Sequence, residues 1–544
     1  MKFLSLLLVF QILLFKAEAQ ISKGIEALSG GMPKTAKAIF RNQLQNPELK
    51  PKALYFLGKV YLEMNQPDSA SIYFESGIAE PLNDALCTVG KSELIIKTNP
   101  AQAEELIKNV IKDKKYRNDP SLFVAVANAY KADKKFDKAH EYLEKAKNID
   151  QKYTGIYLTE GDVLLEEQPT NAGNAVTKYE SAIYFDPACI PAYLKIAKIY
   201  VSTGKADLAL QYLEKVEQVD PHFPAYLKMK GDICYQKGRY DEAVSLYKEY
   251  LLCPEASLDD QIRYSYALFF NRNYDESLKT IKYLIQHTPD NVVLKRLLAY
   301  NSFETGDFKD GLSYIKNFFQ AAKATETISS DYKYYARILS KNNMDSLSIA
   351  SYIKAIDLYQ GESNDLFKEV AQEYEKVKNY EKASDSWEKY IKASSKPENS
   401  ELFYWARDSY FAAGAIDSAL ISKFPEKSET KKICLSRADS LFSVIITNVP
   451  DNYIGYLWKA RVNALMDPAT EQGLAKPFYE QTAILLEKTQ KNKSELLEAY
   501  QYMGYYYFLK QDNNQSLLYW NKILSIDPNN STALQAVKGI KQQQ

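Results

Sequence analysis

The chain has 544 residues, carries 69 Lys+Arg against 69 Asp+Glu, and has only 3 His beside 43 Tyr. That length exceeds one ordinary hydrophobic core and requires several domains or a repeat array. The balanced charge gives no field directed at nucleic acid or an anionic membrane, and the scattered His140, His222 and His287 form no His-based metal or general-base cluster. Cys87, Cys189, Cys234, Cys253 and Cys434 lack any CxxC spacing, so they read as isolated thiols and indicate neither a zinc site nor a disulfide framework.

In chain order, residues 1–19 read as a signal peptide: Lys2 is its positive end, Phe3 to Phe15 its apolar core and Ala17-Glu18-Ala19 a small-x-small cleavage site, which starts the mature chain at Gln20. The apolar run is too short to anchor the chain in a bilayer, and no Cys stands at the junction for lipid attachment. The expectation is export, to the periplasm first and with release from the cell as the alternative.

The remaining sequence repeats. Its cleanest unit, Ile190 to Pro221, holds two short amphipathic helices, 193–202 and 206–218, joined by Thr203-Gly204-Lys205 and closed by Asp220-Pro221. Ala197 and Ala209 let the helices approach to about 8–10 Å between axes, while Tyr193, Ile196, Tyr200, Leu213 and Val216 fill the seam. Small first-helix residues recur about every 34 positions, as in Gly24 and Gly58, Ala127 and Gly161, or Ala197 and Gly231. The series runs through Ala267, Ala299, Ala336, Ala371, Ala406, Ala460 and Gly504, with Lys91 a poor match, and makes about fourteen units. A second small residue follows, twelve positions later in most units.

Two places depart from this period. Residues 414–435 are an insertion between Ala406 and Ala438, with a charged middle, and Asp417 to Lys423 within it also reads as a displaced second helix. A shorter excess falls in the loop Met466 to Gly473. The expected layout is therefore a signal peptide (1–19), a solenoid (20–413), the insertion (414–435), C-terminal repeats (436–530) and a capping helix with its tail (531–544).

Leu54, Leu57, Gly58, Tyr61, Ala70 and Phe74 carry a recognisable signature, as do Phe123, Val126, Ala127, Tyr130, Ala139, Leu143 and Ala146, and again Tyr500, Met503, Gly504, Tyr507, Trp520 and Pro528. On these residues the chain resembles tetratricopeptide repeat proteins over nearly all its mature length. The resemblance implies an all-α fold: an α-solenoid of about fourteen TPR-like helix pairs with a C-terminal capping helix, the first helix of each pair lining a concave groove. Elementary packing agrees, because one pair cannot bury its apolar stripe without stacked neighbours.

Signatures of catalysis fail on physical grounds. Gly90-Lys91-Ser92 has the tail of a phosphate loop, but Ala85 stands where the leading Gly is needed and the segment reads as helix. The acid pairs Glu104-Glu105 and Asp259-Asp260 fall on polar helical faces. No enzyme activity, metal or cofactor is expected. By the resemblance, groove positions are Tyr55 and Lys59, Asn128 and Lys131, Lys198, Lys228, Asp232 and Tyr235, and finally Tyr505 and Phe508. Aromatic platforms mixed with Lys and Asn suit an extended peptide. One helix cannot bury Tyr500, Tyr502, Tyr505, Tyr506 and Tyr507 together, which directs Tyr505 to the groove or a partner. The Lys/Asn pair of the carboxylate-gripping subclass is absent, since Tyr55 and Lys59 stand in its place, and this disfavours chaperone-tail binding.

The expected function is a non-enzymatic scaffold or adaptor of the cell envelope. Its partners would be other envelope proteins or peptides, with no nucleic acid and no integral membrane segment after signal cleavage. The alternative is a glycan- or nutrient-binding accessory protein of outer-membrane uptake, against which the missing lipidation Cys counts.

Overall fold

The computed structural model describes residues 18–81, 85–359, 364–489 and 492–543. Most of the expected signal peptide, 1–17, lies outside the described residues. The described residues are helical with no strand, and the chain divides into two compact units, Met1–Pro289 and Asp290–Gln544.

Eight helix pairs make up the first unit. They are α1 (18–29) with α2 (Pro33–Gln43), α3 (Lys50–Glu63) with α4 (Pro67–Ala79), α5 (Ala85–Ile95) with α6 (Pro100–Lys112), and α7 (Pro120–Ala132) with α8 (Phe136–Ile149). Then come α9 (Thr154–Glu167) with α10 (Ala172–Phe185), α11 (Ile190–Ser202) with α12 (Ala206–Val219), α13 (Pro224–Gln236) with α14 (Tyr240–Tyr250), and α15 (Leu258–Phe270) with α16 (Tyr274–His287).

The second unit holds six pairs and a cap. These are α17 (Val292–Glu304) with α18 (Phe308–Ala321), α19 (Ser329–Lys341) with α20 (Asp345–Asp357), α21 (Asn364–Lys376) with α22 (Tyr380–Ala393), and α23 (Asn399–Gly414) with α25 (Lys427–Asn448), the short α24 (Ser418–Lys423) lying between the last two. The chain ends with α26 (Tyr453–Met466) and α27 (Lys476–Thr489), α28 (Lys493–Leu509) and α29 (Asn513–Ile526), and the cap α30 (Ser531–Gln543). Fourteen pairs are thus present among the described residues, and each unit is a helical solenoid.

Local chemistry explains the boundaries. Pro33, Pro51, Pro67, Pro100, Pro120, Pro191 and Pro224 stand in first turns, where a missing N–H costs nothing. Most first helices end on a left-handed residue, such as Asn65, Lys134, Gly204 or Gly238. The following amide then donates to the carbonyl five residues back, as from Gln66 to Tyr61 (2.8 Å) and from Lys205 to Tyr200 (2.8 Å). This 6→1 bond closes the helix and sends the chain directly into its partner.

The small residues lie at the crossings. Ala197 and Ala209 are fully buried. A Cβ on Gly58, Gly161 or Gly504 would collide with the second-helix ring of Phe74, Tyr179 or Trp520, so these glycines make room for the largest side chains of the seam. Where the second-helix residue is Ser, its hydroxyl donates to the facing first-helix carbonyl: Ser277 to Ser265 (2.9 Å), Ser348 to Ala336 (2.9 Å) and Ser516 to Gly504 (2.7 Å). The first of these corrects one register, because the crossing residue of α15 is Ser265, twelve positions before Ser277, instead of Ala267.

Residues 414–435 do not form a loop. α23 runs on to Gly414, Asp417 caps α24 by accepting the Leu420 amide (2.7 Å), and the second-helix role falls to α25, which is 22 residues long. α25 sits on α22 through Lys427–Glu381 (2.9 Å) at its added start and Arg437–Glu388 (2.9 Å) beside the crossing. The loop after α26 is organised by buried Asp467, whose carboxylate accepts the amides of Glu471 (3.0 Å), Gln472 (2.9 Å) and Gly473 (2.7 Å). Among the described residues no helix is long and apolar enough to cross a membrane.

Candidate partner-binding surface

Charged side chains on the first helices pair chiefly with the first helix of the adjacent repeat. In the first unit Lys59 meets Glu93 (2.6 Å), Lys195 meets Asp162 (2.7 Å), Lys228 meets Asp260 (2.7 Å) and Arg263 meets Asp232 (3.0 Å). In the second the rungs are Arg296–Asp331 (2.6 Å), Arg337–Glu369 (2.5 Å), Lys368–Glu401 (2.7 Å), Arg407–Glu375 (2.5 Å) and Arg461–Glu498 (2.6 Å). These rungs fix the register between repeats and consume charge that would otherwise face a ligand. Their sequence signal is opposite charge one repeat apart.

Several of the residues expected to line a groove belong to this ladder. Lys59 is held by Glu93, Lys131 by Glu166 (3.5 Å) and Lys228 by Asp260, while Asp232 accepts from Arg263 and from the Tyr247 hydroxyl (2.7 Å). Burial opposes ionisation of Asp260, but the Lys228 ammonium and the Ser257 hydroxyl and amide outweigh it, so the carboxyl lies below its ordinary value. Asn128 donates to the Val124 carbonyl (3.1 Å) and to the Thr159 hydroxyl (3.4 Å). Tyr55 is 6% exposed, with its ring against Phe56 and Phe74. Tyr235 is half-buried edge-on to Tyr240 and Phe270, and burial pushes its hydroxyl up to about 12.

Three of these positions are open to solvent. Lys198 is exposed on α11. On α28, Tyr505 is 47% and Phe508 37% exposed, and the adjoining Leu509 is 41% exposed. Of the other tyrosines on that helix, Tyr500 is buried and donates to Glu487, Tyr502 stacks on Tyr479 (4.7 Å) and Tyr507 stacks on Tyr519 (5.8 Å). The cysteines are thiols, with Cys87, Cys189, Cys234 and Cys434 buried and Cys253 half-buried.

A family model of the tetratricopeptide repeat matches residues 194–259, and a second matches 51–79 and 120–153. These stretches are similar to tetratricopeptide repeats. Over 147 residues the chain is 24% identical to DnaJ homolog subfamily C member 3 of Homo sapiens, covering 27% of this chain and 25% of that protein. Over 222 residues it is 22% identical to Tetratricopeptide repeat protein 21A of Mus musculus, covering 36% of this chain and 17% of that protein. The chain thus spans a quarter or less of the length of these relatives. Among solved structures it is similar to the C-terminal part of a TPR repeat-containing protein from Cytophaga hutchinsonii, with 29% identity, 51% of this chain and 99% of that chain covered, and a TM-score of 0.39. The matched stretches include the first helices that carry Tyr55, Lys59, Asn128, Lys131, Lys198, Lys228, Asp232 and Tyr235.

Proposed function

We propose that the chain is a non-enzymatic protein-binding scaffold of the cell envelope, exported to the periplasm by residues 1–19, that holds peptide segments of other envelope proteins on its first-helix faces. Tetratricopeptide repeats commonly serve as protein-binding scaffolds, and scaffold chemistry requires no reacting group. The observation that carries the reading is the face of α28. Tyr505 and Phe508 lie one turn apart and stay open to solvent beside Leu509, while Tyr500, Met503 and Gly504 of the same helix are buried. Contiguous apolar and aromatic surface of this kind suits a partner's apolar anchors. Affinity capture from envelope extracts with the wild type and with the Tyr505→Ala/Phe508→Ala double variant tests it. The expected result is a protein recovered by the wild type and lost by the variant; recovery of no protein, or equal recovery by both, sinks the reading.

A further inference from the structure

The first unit is fastened head to tail. Met32, the N-cap residue of α2, offers no side-chain cap. Instead Glu255, in the turn after α14, accepts the Thr35 amide through Oε1 (2.7 Å) and the Thr35 hydroxyl through Oε2 (2.6 Å), across 220 residues of sequence. A carboxylate at a helix N-terminus satisfies an orphan donor and complements the helix dipole. Around it, buried Ile21, Ala27 and Met32 of the first pair share one apolar cluster with Ile190, Tyr193, Phe223 and Tyr226. Gly30 is so near Phe223 that a Cβ there would stand 3.0 Å from the ring.

One group works against this fastening. Glu26 of α1 feels the charge of Asp186 and Asp220, from the turns after α10 and α12, and Lys23 on its own helix is the cation that acts on it. The Cys189 thiol feels Glu26 from the facing side. Asp186 and Asp220 each already accept an amide of their own turn, from Ala188 (3.0 Å) and His222 (3.0 Å). Burial first, then Asp186 and Asp220, hold the Glu26 carboxyl above its ordinary value despite Lys23. The closed arrangement therefore favours the protonated carboxyl, and closure weakens as pH rises through the ordinary carboxylate range.

We propose that this contact is a releasable clasp on an elastic array, with the Glu26, Asp186 and Asp220 carboxylates set against closure, so that opening uncovers Ile190, Tyr193 and Phe223. The first pair stays with its neighbour when the clasp parts, because Phe40 stacks on Phe56 (5.1 Å) and Arg41 donates to the Tyr61 hydroxyl (3.2 Å). Small rotations at the successive repeat interfaces supply the opening, the soft motion of a solenoid. The clasp stands independently of which partner the array binds.

Cys253 is a native reporter, its sulfur 3.6 Å from the Thr35 hydroxyl oxygen across the contact. The experiment measures N-ethylmaleimide labelling of each cysteine in the full chain at neutral pH, with buried Cys87 as internal reference. Glu26→Gln removes the opposing charge and is expected to slow Cys253 labelling by about threefold. Ile21→Ser weakens the apolar seat and is expected to speed it by roughly tenfold with Cys87 unchanged. A Cys253 rate unchanged or raised in Glu26→Gln overturns the proposal, and so does a folded Ile21→Ser variant with the wild-type rate. If Ile21→Ser fails to fold, Gly30→Ala takes its place, because its added Cβ presses on the Phe223 ring across the contact; a wild-type Cys253 rate in that folded variant also overturns the proposal.

Discussion

The two units keep their repeats in register with different cations. In the first unit the rungs are mainly lysines: Lys59, Lys195 and Lys228 present a point charge to a carboxylate, with Arg263 the exception. In the second they are mainly arginines, and three of these are forked: Arg296 holds Asp331 through Nε (2.6 Å) and Nη2 (2.9 Å), Arg337 holds Glu369 (2.8 and 2.5 Å), and Arg461 holds Glu498 (2.8 and 2.6 Å). These guanidinium groups also lie over rings, at 5.0 Å from Phe318, 5.9 Å from Tyr334 and 4.8 Å from Trp458. A fork against a carboxylate fixes angle as well as distance, and the ring beneath removes water from one face. The second unit therefore has directional rungs where the first has adjustable ones, which suits an array that closes by a clasp.

Beneath both kinds of rung lies a shared foundation, and breaking it should have the largest effect. Ala209→Trp overpacks the crossing with Ala197 and is expected to cost about 3 kcal/mol, seen as a lowered thermal midpoint with damage centred on neighbouring repeats. An unchanged melt would mean that the crossing is misplaced. Arg337→Lys keeps the charge but loses the fork on Glu369, and is expected to cost about 1–2 kcal/mol in chemical denaturation.

The node beside the Arg407 rung sharpens the comparison through pH. The Trp387 indole N–H lies 3.1 Å from both Glu375 and Asp408, and burial, then the nearby Glu375, pushes the Asp408 carboxyl up to about 8 despite Arg407. The folded chain thus keeps a proton that the unfolded chain releases near the ordinary 3.8, so this group lowers stability as pH rises from 3.8 to about 8. Asp408→Asn should flatten that decline and raise the midpoint by a few degrees at the alkaline end of the window. The smallest effect is expected for Lys59→Arg, within about 0.5 kcal/mol, because the ammonium meets Glu93 as a point charge with no fork to lose. A Lys59→Arg cost equal to that of Arg337→Lys would erase the distinction between the units.

The architecture was legible because helix crossings demand small residues at fixed intervals, and Ala197 with Ala209 or Gly504 with Ser516 show that demand directly in the sequence. The form of 414–435 was legible only in part: the pattern over Asp417 to Lys423 does give a helix, Ser418–Lys423, but the second-helix role passes to α25. The distance from Ala406 to Ala438 reveals added residues, but periodicity does not separate a loop from a second helix extended by two turns. The first-helix places of the expected groove residues were legible by count, and their environments were less so. Tyr55 takes the expected place on α3, yet its ring turns into the seam because Phe56 and Phe74 offer an aromatic wall. Lys59 and Lys228 face acids on the next repeat, a pairing that spacing within one repeat does not reveal. The clasp lay furthest from view, since a repeat period describes neighbours and Thr35 meets Glu255 across 220 residues.

The Asp467 loop has a consequence for how this chain tolerates change. Ordinary turns between paired helices hold themselves with backbone bonds, and lengthening them costs little more than extra loop entropy. Here a single buried carboxylate grips the amides of Glu471, Gln472 and Gly473 in succession, as a rivet holds overlapping plates. One added residue would pull those amides out of line and leave a charge stranded in the interior, so a loop that reads as surplus length should be among the least forgiving segments to edit.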